Sequence, residues 1–347
     1  MLIKKRRYNV TGLKRFLYKS LIDDKRCNFY DLSLLNREER VAKTSILNIY
    51  DRDDNIGNFL PVLGMRKMLG FDPDTWDIHD KNIDFDFIND NYQGVIIGGA
   101  GLLCPPFRDF WVKFSQQCHL PTVIWGVGSG LGASIGEKID RENRDREMQD
   151  YVEAVSKISQ RCDLVNVRDR LTADFFELHN AHIAACPTIV HMQEFKQDLN
   201  PHADRVLYSS HHFDSQTEIK KIKEDVSSIY KNFSFTENVQ HPYLGLNEII
   251  KNYYVDSSLV VTTRLHGAIM AYGLGIPYVG ITRGEKIRSF CNEYGNGILI
   301  EDISQLKLTL KDTPVSKIPM QSIEIEPVLE FGSRVKEWSA SLNMVKV

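Results

Sequence analysis

The sequence lacks any long apolar run. The best candidate, Gly94 to Leu103, has ten residues and is rich in glycine, whereas a membrane-spanning helix needs about 20. The basic amino-terminal segment is not followed by the uninterrupted apolar stretch of a secretory signal. With 42% hydrophobic and 26% charged residues, the 347-residue chain has the composition of a globular protein large enough for two domains. We therefore expect a cytoplasmic protein.

Paired cysteines and metal-binding motifs are also missing. The six cysteines are scattered without a Cys-x-x-Cys pair, which favours free thiols in a reducing compartment. None of the ten histidines forms an i, i+4 pair around an acidic residue, so a zinc site of that kind is not expected. Walker A and Gly-x-Ser-x-Gly sequences are absent too. We expect neither a metal nor a cofactor.

Acidic residues are missing from the first 20 positions, which hold seven cations. The net charge of the chain is −3, so the other 327 residues carry −10, and nucleic acid is not an expected partner. Within residues 1–20 and just after, an apolar helical face is predicted from Leu13, Phe16, Leu17 and Leu21. Two interpretations stay open: this helix lies on an anionic membrane surface, or its apolar face packs on the protein body.

Strand and helix patterns alternate in both halves of the chain, which is typical of open α/β sheets. In the first half we predict strands at 44–50, 94–97, 122–125, 164–167 and 182–185, and helices at 59–69, 144–161 and 171–178. In the second half we predict strands at 205–209, 233–236, 259–263, 278–281 and 298–300, and helices at 216–230, 245–254, 268–273 and 328–342. The expected organisation is a basic extension (1–40), two α/β domains (41–195 and 203–310) and a carboxyl-terminal segment (311–347), for which packing on the first domain is one option.

Glycines cluster where three predicted strands of the first half end. Ligands of open α/β sheets bind at this edge, outside the carboxyl ends of the strands. None of the clusters matches the Gly-x-Gly-x-x-Gly fingerprint, so each is equally compatible with a tight turn or close helix packing. As a hypothesis, the residues that line a cleft or acceptor site here are Asn55, Gly57, Asn58, Gly98, Gly99, Gly101 and Gly128.

Cationic residues follow other predicted strands. Arg264-Leu265-His266-Gly267 stands between a strand and a helix, where unpaired N–H groups and the helix dipole favour an anion. Arginine and lysine bind carboxylate or phosphate, and histidine exchanges protons near neutral pH. The alternatives are a capping or packed His266 and surface charges at Arg168-Asp169 and Lys286. We predict an anion-binding catalytic site.

The order of these motifs resembles the polysaccharide pyruvyl transferase family. The resemblance covers residues 44 to 295 and depends most on the Arg264-Leu265-His266-Gly267 block with Gly275-Ile276-Pro277 and Lys286 downstream. Val167-Arg168-Asp169, the Gly98 turn and Asn55-x-Gly57 stand in the matching order. The chain departs from the family pattern at Asn58, where many relatives have Asp, at Ala100, where they have Gly, and at Cys186-Pro187, where others have Asp-Pro.

This resemblance implies two Rossmann-like domains that face each other across a cleft, as in GT-B glycosyltransferases. It implies transfer of an enolpyruvyl unit from phosphoenolpyruvate to two hydroxyls of a saccharide, with His266 as general acid. Arg168, Arg264 and Lys286 would then bind the donor's carboxylate and phosphate, and Asp169 is a candidate base. A lipid-linked acceptor would give the basic segment a role at the inner leaflet. The alternatives are a GT-B glycosyltransferase that uses a nucleotide-sugar and a non-catalytic member in envelope assembly.

Overall fold

The computed structural model describes residues 24–129, 146–200, 205–282, 284–295, 297–312 and 322–344. The predicted basic helix near residues 1–20 lies outside the described residues. The described chain forms two parallel β-sheets flanked by helices, which confirms the predicted α/β fold with two Rossmann-like lobes. Within these ranges, no helix is both long and apolar enough to cross a bilayer.

The first sheet has the strand order β2-β1-β3-β4-β5-β6. Its strands are β1 (Ile46–Tyr50), β2 (Asp74–Asp77), β3 (Gly94–Gly98), β4 (Thr122–Val127), β5 (Leu164–Val167) and β6 (His182–Ile183). Every residue of β1, β3 and β4 is buried. Parallel strands covered by helices on both faces have continuous apolar sequences, which is why these three were readily predicted.

The helices of the first lobe are α1 (Ile56–Leu69), α2 (Phe85–Asn91), α3 (Arg108–Gln117), α4 (Arg146–Arg161), α5 (Arg170–Phe175) and α6 (Thr188–Met192). Helix α1 begins where the Asn55 side chain accepts a hydrogen bond from Gly57 N, and it ends at Gly70 in the left-handed conformation (φ 80°). An asparagine N-cap and a glycine C-cap are the usual helix boundaries. The Asn55 cap fixes the first turn of α1 shortly after the end of β1.

The second sheet has the order β11-β10-β9-β7-β8. Its strands are β7 (Val206–Ser209), β8 (Phe233–Thr236), β9 (Leu259–Thr262), β10 (Tyr278–Ile281) and β11 (Ile298–Ile300). The helices of this lobe are α7 (Gln216–Ser227), α8 (Leu246–Ile249), α9 (Leu265–Leu274), α10 (Glu285–Glu293) and α11 (Leu306–Asp312). Helix α9 is buried throughout, which explains its uniformly apolar sequence.

Several elements differ from the prediction or were missed. The edge strand β2 was not predicted, because Asp-Thr-Trp-Asp has no apolar run although it buries Trp76. Helices α2 and α3 were also missed. The single helix expected at 245–254 is α8 followed by a π-helix over Ile250–Val255.

A shared apolar core holds the two lobes together. One cluster contains Leu60 of α1, Ile189 of α6 and Ile269 of α9, so the first helix of one lobe and the helix after β9 pack in the same core. A last helix, α12 (Glu326–Met344), covers the first sheet: Phe331 packs on Trp125, and Trp338 Nε1 donates to Asp163 Oδ2 at 2.9 Å. The lobes therefore meet with a continuous interior.

Strand order fixes where a ligand can enter. In the first sheet the chain runs from β1 to one neighbour, β2, and then crosses to the other, β3; in the second it does the same from β7 to β8 and β9. Such reversals open a crevice at the carboxyl ends of the two central strands. The loops after β1, β3, β7 and β9 should therefore border the ligand site.

Candidate active site

A cleft of about 320 Å³ lies between the lobes, at the carboxyl ends of both sheets. The first lobe contributes residues after β1, β2, β3 and β5, and the second contributes residues after β7, β9 and β10. Their polar members are Asp51, Asp53, Asn55, Asn58, His79, Cys104, Arg168, His211, His212, Thr263, Arg264, His266 and Lys286. The topology thus places the charged loops of both lobes around one cavity.

Arg264 joins the two lobes at the floor of the cleft. It is the N-cap residue of α9, and its Nε donates to Ser210 O at 3.0 Å within its own lobe. Its Nη1 donates to Asn55 Oδ1 of the other lobe at 2.6 Å. Burial lowers the pKa of Arg264 from its ordinary value, although a guanidinium stays charged at neutral pH. Its charge is therefore fixed in the cavity wall.

His266 is the second residue of α9 and lies against the start of α1. Only 7% of the residue is exposed, and Nε2 has no hydrogen-bond partner among the described residues. A Cβ at Gly57 would come closer than 3.0 Å to three atoms of His266, so only glycine lets α1 approach the side chain this closely. Burial lowers the pKa of His266 well below its usual value, and Arg168, Arg264 and Lys286 lower it further. The imidazole is therefore neutral at neutral pH.

Arg168 and Lys286 complete the cationic group. A Cβ at Gly101 would lie 3.8 Å from Lys286 Nζ and 4.0 Å from Arg168 Nη2, so both side chains converge on this glycine. The Nε of Arg168 is buried without a hydrogen bond and lies 3.4 Å from Asp169 Oδ2. Burial and the neighbouring Arg168 lower the pKa of Lys286 to about 8. Cations this close to one another favour the binding of an anion between them.

The structure brings some of the predicted acceptor or cleft residues to the cavity and not others. Asn55, Asn58 and Gly101 line it. Gly98 and Gly99 instead lie under α1, where a Cβ would meet Met65 or Pro61. Gly128 lies behind Arg168, and a side chain there would displace the guanidinium. Asp169 is the N-cap of α5 and accepts from Thr172 N at 2.7 Å.

Sequence reasoning missed one group of cleft residues. Asp51, Asp53 and His79 follow β1 and β2, and Cys104 and Phe107 follow β3. His211 and His212 follow β7 in a turn rather than in a strand, and their ring centroids are 4.2 Å apart on the same cavity. These residues could have been identified from their position after the strands at which the chain changes direction across the sheet.

The arrangement can bind a small, multiply charged anion and offer it a proton. Three cations supply charge, and a buried imidazole with an unpartnered nitrogen lies among them. A cluster of three or more His, Cys, Asp or Glu side chains suited to a metal ion does not occur in the described part of the chain.

Comparisons with known proteins agree with this architecture. The sequence model of the polysaccharide pyruvyl transferase family matches residues 9–285, a range that includes Arg168, Arg264 and His266. A search of curated proteins finds no match. The fold is similar to that of a protein assigned as a UDP-N-acetylglucosamine 2-epimerase from Listeria monocytogenes (13% identity, TM-score 0.50, 85% of this chain and 95% of that one). It is also similar to UDP-N-acetylglucosamine 2-epimerase from Rickettsia bellii (9% identity, TM-score 0.52, 86% and 97%). At these identities the likeness concerns the fold alone, and it is of the GT-B type that was predicted.

Proposed function

The chain belongs to the polysaccharide pyruvyl transferase family, and we propose that it moves the enolpyruvyl unit of phosphoenolpyruvate onto two hydroxyls of a saccharide. The product is a cyclic pyruvate ketal, and inorganic phosphate leaves. The observation that carries this proposal is the convergence of Arg168, Arg264 and Lys286 around the buried His266. Phosphoenolpyruvate has one carboxylate and one phosphate, and together these balance the charges of such a site.

The donor step begins at His266. Bound phosphate and carboxylate raise the pKa of the imidazole, because an adjacent anion favours its charged form. The protonated ring gives its proton to the methylene carbon of phosphoenolpyruvate, and C2 acquires oxocarbenium character. Arg168, Arg264 and Lys286 hold the two anionic groups and stabilise the phosphate as it departs. In this proposal the ligand itself turns the neutral His266 into an acid.

Two additions at C2 complete the reaction. The first hydroxyl oxygen bonds to C2 and loses its proton; the C2–O bond to phosphate then breaks, and the second hydroxyl adds and loses its proton. Of these two protons, one replaces the proton that His266 gave and the other leaves with phosphate. We propose a saccharide of a cell-surface polysaccharide as acceptor, with a lipid-linked precursor at the cytoplasmic leaflet as the form that would suit the basic residues 1–20.

The first test is an assay of phosphate release with phosphoenolpyruvate and a panel of methyl glycosides of glucose, galactose, mannose and N-acetylmannosamine. We expect phosphate and ketal product in a one-to-one ratio, measured by phosphate assay and mass spectrometry. Matched reactions replace phosphoenolpyruvate with UDP- and GDP-sugars. Glycosyl transfer from those donors, without ketal formation from phosphoenolpyruvate, would overturn the proposal in favour of a nucleotide-sugar enzyme.

A second prediction concerns the pH dependence of donor binding. The pKa of Lys286 is about 8 in the free protein, so the side chain loses its charge as the pH rises through this value. We expect the Kd for phosphoenolpyruvate to rise about fivefold between pH 8 and pH 9, since the protonated fraction falls by that factor. Isothermal titration would measure it. In Lys286→Met the Kd should be higher at pH 7 and nearly constant over this interval, and an unchanged slope in that variant would exclude Lys286.

A further inference from the structure

A second imidazole, His79, lies in the same cleft outside the cationic group. Its Nε2 donates to Asp51 Oδ1 at 3.2 Å, so the neutral ring has its lone pair on Nδ1. Among the described residues, the hydrogen bonds of His79 are made by its backbone N and by Nε2. Its side chain is 51% exposed, whereas that of Asp51 is 16% exposed. The ring packs edge-on against Phe107 with centroids 4.9 Å apart. A carboxylate and an aromatic side chain thus orient an imidazole that is open to the cavity.

The two histidines have opposite electrostatic surroundings. His266 is among Arg168, Arg264 and Lys286, whose charges disfavour its imidazolium form. The charges with the largest effect on His79 are those of Asp51, Asp77 and Asp53, and the uncharged Phe107 packs edge-on against its ring. The hydrogen bond to Asp51 is the largest cause that raises the pKa of His79. Carboxylates around an imidazole stabilise the charge that it gains when it accepts a proton.

Both environments belong to one cavity. The Cys104 side chain lines it, and its thiol is within electrostatic reach of Lys286 and Arg168 as well as Asp51. The cationic group and the His79–Asp51 pair therefore border a common space of about 320 Å³. This volume has room for the donor on the cations and a hydroxyl of the acceptor beside His79.

Four other polar residues in or beside the cleft are poorly suited to accept a proton from a hydroxyl. Asn58 is an amide, and Asp169 is held by Thr172 and Arg168. Burial raises the pKa of the Cys104 thiol to about 11, which leaves it protonated. Burial lowers the pKa of His212, and Arg264 and Lys286 lower it further against the opposing effect of Asp53 and Asp214. His79 is the cleft imidazole whose ring hydrogen-bonds to a carboxylate, and the charges with the largest effect on its pKa are those of Asp51, Asp77 and Asp53.

We propose that His79, oriented by Asp51, is the base that takes the proton of the attacking acceptor hydroxyl, so that this end of the cleft is the acceptor subsite. The inference rests on the proposed transfer from phosphoenolpyruvate. As the hydroxyl oxygen bonds to C2 of the donor, its O–H bond breaks and the proton moves to His79 Nδ1, which passes it through solvent to the departing phosphate before the second addition; the proton of the second hydroxyl then replaces the one that His266 gave. Asp51 does not touch the acceptor and is a positioning residue.

The test compares His79→Gln and Asp51→Asn with the wild type and with a control, His119→Gln, at an exposed histidine outside the cleft. Transfer from saturating phosphoenolpyruvate to the glycoside panel is measured between pH 5.5 and 8.5. We expect His79→Gln to lower kcat/KM for the acceptor by about 10² to 10³-fold, the usual contribution of a general base. In Asp51→Asn the acidic limb of the pH profile should move to lower pH, because the carboxylate raises the pKa of His79.

A measurement of donor binding distinguishes failure of the acceptor assignment from failure of the proposed function. The thermal shift that phosphoenolpyruvate produces should be the same in His79→Gln as in the wild type, since His79 does not bind the donor. Wild-type transfer by His79→Gln, or a lost thermal shift in that variant, would overturn the acceptor assignment alone. A wild type that neither binds phosphoenolpyruvate nor releases phosphate with any glycoside would overturn the proposed function, and the assignment with it.

Discussion

Replacement of His266 by glutamine should abolish pyruvyl transfer while leaving the fold intact. Glutamine retains much of the volume of the imidazole but cannot deliver a proton, and a positioned general acid contributes about 10² to 10⁴-fold to rate. The loss of native structure should be small, because Nε2 of His266 makes no hydrogen bond among the described residues. Phosphate release from phosphoenolpyruvate measures the effect on activity, and thermal unfolding measures the effect on stability.

The pH dependence of stability gives this variant an independent control. The pKa of the buried His266 lies well below its unfolded value, so below about pH 6.5 the unfolded chain takes up a proton that the native site refuses. This histidine therefore lowers the stability of the wild type as the pH falls, and His266→Gln should weaken that decline. A variant with normal unfolding and full transfer activity would remove His266 from the mechanism. A variant that fails to fold would show that the side chain supports the core.

The residues at the strand ends show how much of the site could be predicted from the sequence. Arg168, Arg264 and Lys286 each follow a strand with an apolar sequence, so their place at one sheet edge follows from the pattern alone. The strands that precede or follow them, such as β5 (Leu164–Val167) and β10 (Tyr278–Ile281), have the bounds that were predicted. The cationic group to which we assign the donor could therefore be predicted from the sequence.

The proposed acceptor side could not be predicted from the sequence in the same way. Asp51 and Asp53 belong to a run of charged residues that looks like a solvated loop, and His79 follows β2, an edge strand with two aspartates in four residues. Their proximity depends on the pairing of β1 with β2, which joins Asn48 to Thr75 and Tyr50 to Asp77. Local sequence patterns do not indicate which strands pair, because pairing depends on residues that are distant in sequence.

The glycines show a related limit. Gly57, Gly98 and Gly128 are similar in sequence context, yet they accommodate His266, Met65 and Arg168 respectively. A glycine in the sequence can indicate that another group packs closely against the backbone, but it does not identify that group. The glycines that were predicted as one group lining the cleft therefore have different roles in the structure. Only some of these glycines contact residues of the site.

Replacement of Gly57 by alanine should reduce transfer strongly with a modest effect on stability. The new Cβ would come closer than 3.0 Å to Nδ1, Cγ and Cβ of His266, so the imidazole has to move. Displacing a catalytic group by about 1 Å costs about 10²-fold in rate. We expect a loss of at least this size in phosphate release, with the phosphoenolpyruvate-induced thermal shift largely retained because Arg168 and Lys286 are not in contact with Gly57.

Gly64→Ala is the matched comparison, two turns further along α1. There the Cβ would collide with the backbone carbonyl of Pro187 rather than with a side chain. Because backbone cannot rotate away, this substitution should lower the free energy of unfolding, by about 1 to 3 kcal/mol as for other overpacked core sites, and should spare the activity of the molecules that remain folded. The two variants thus separate displacement of a catalytic ring from loss of packing. If Gly57→Ala instead matched Gly64→Ala, with lower stability and normal transfer per folded molecule, the contact between α1 and His266 would have no part in catalysis.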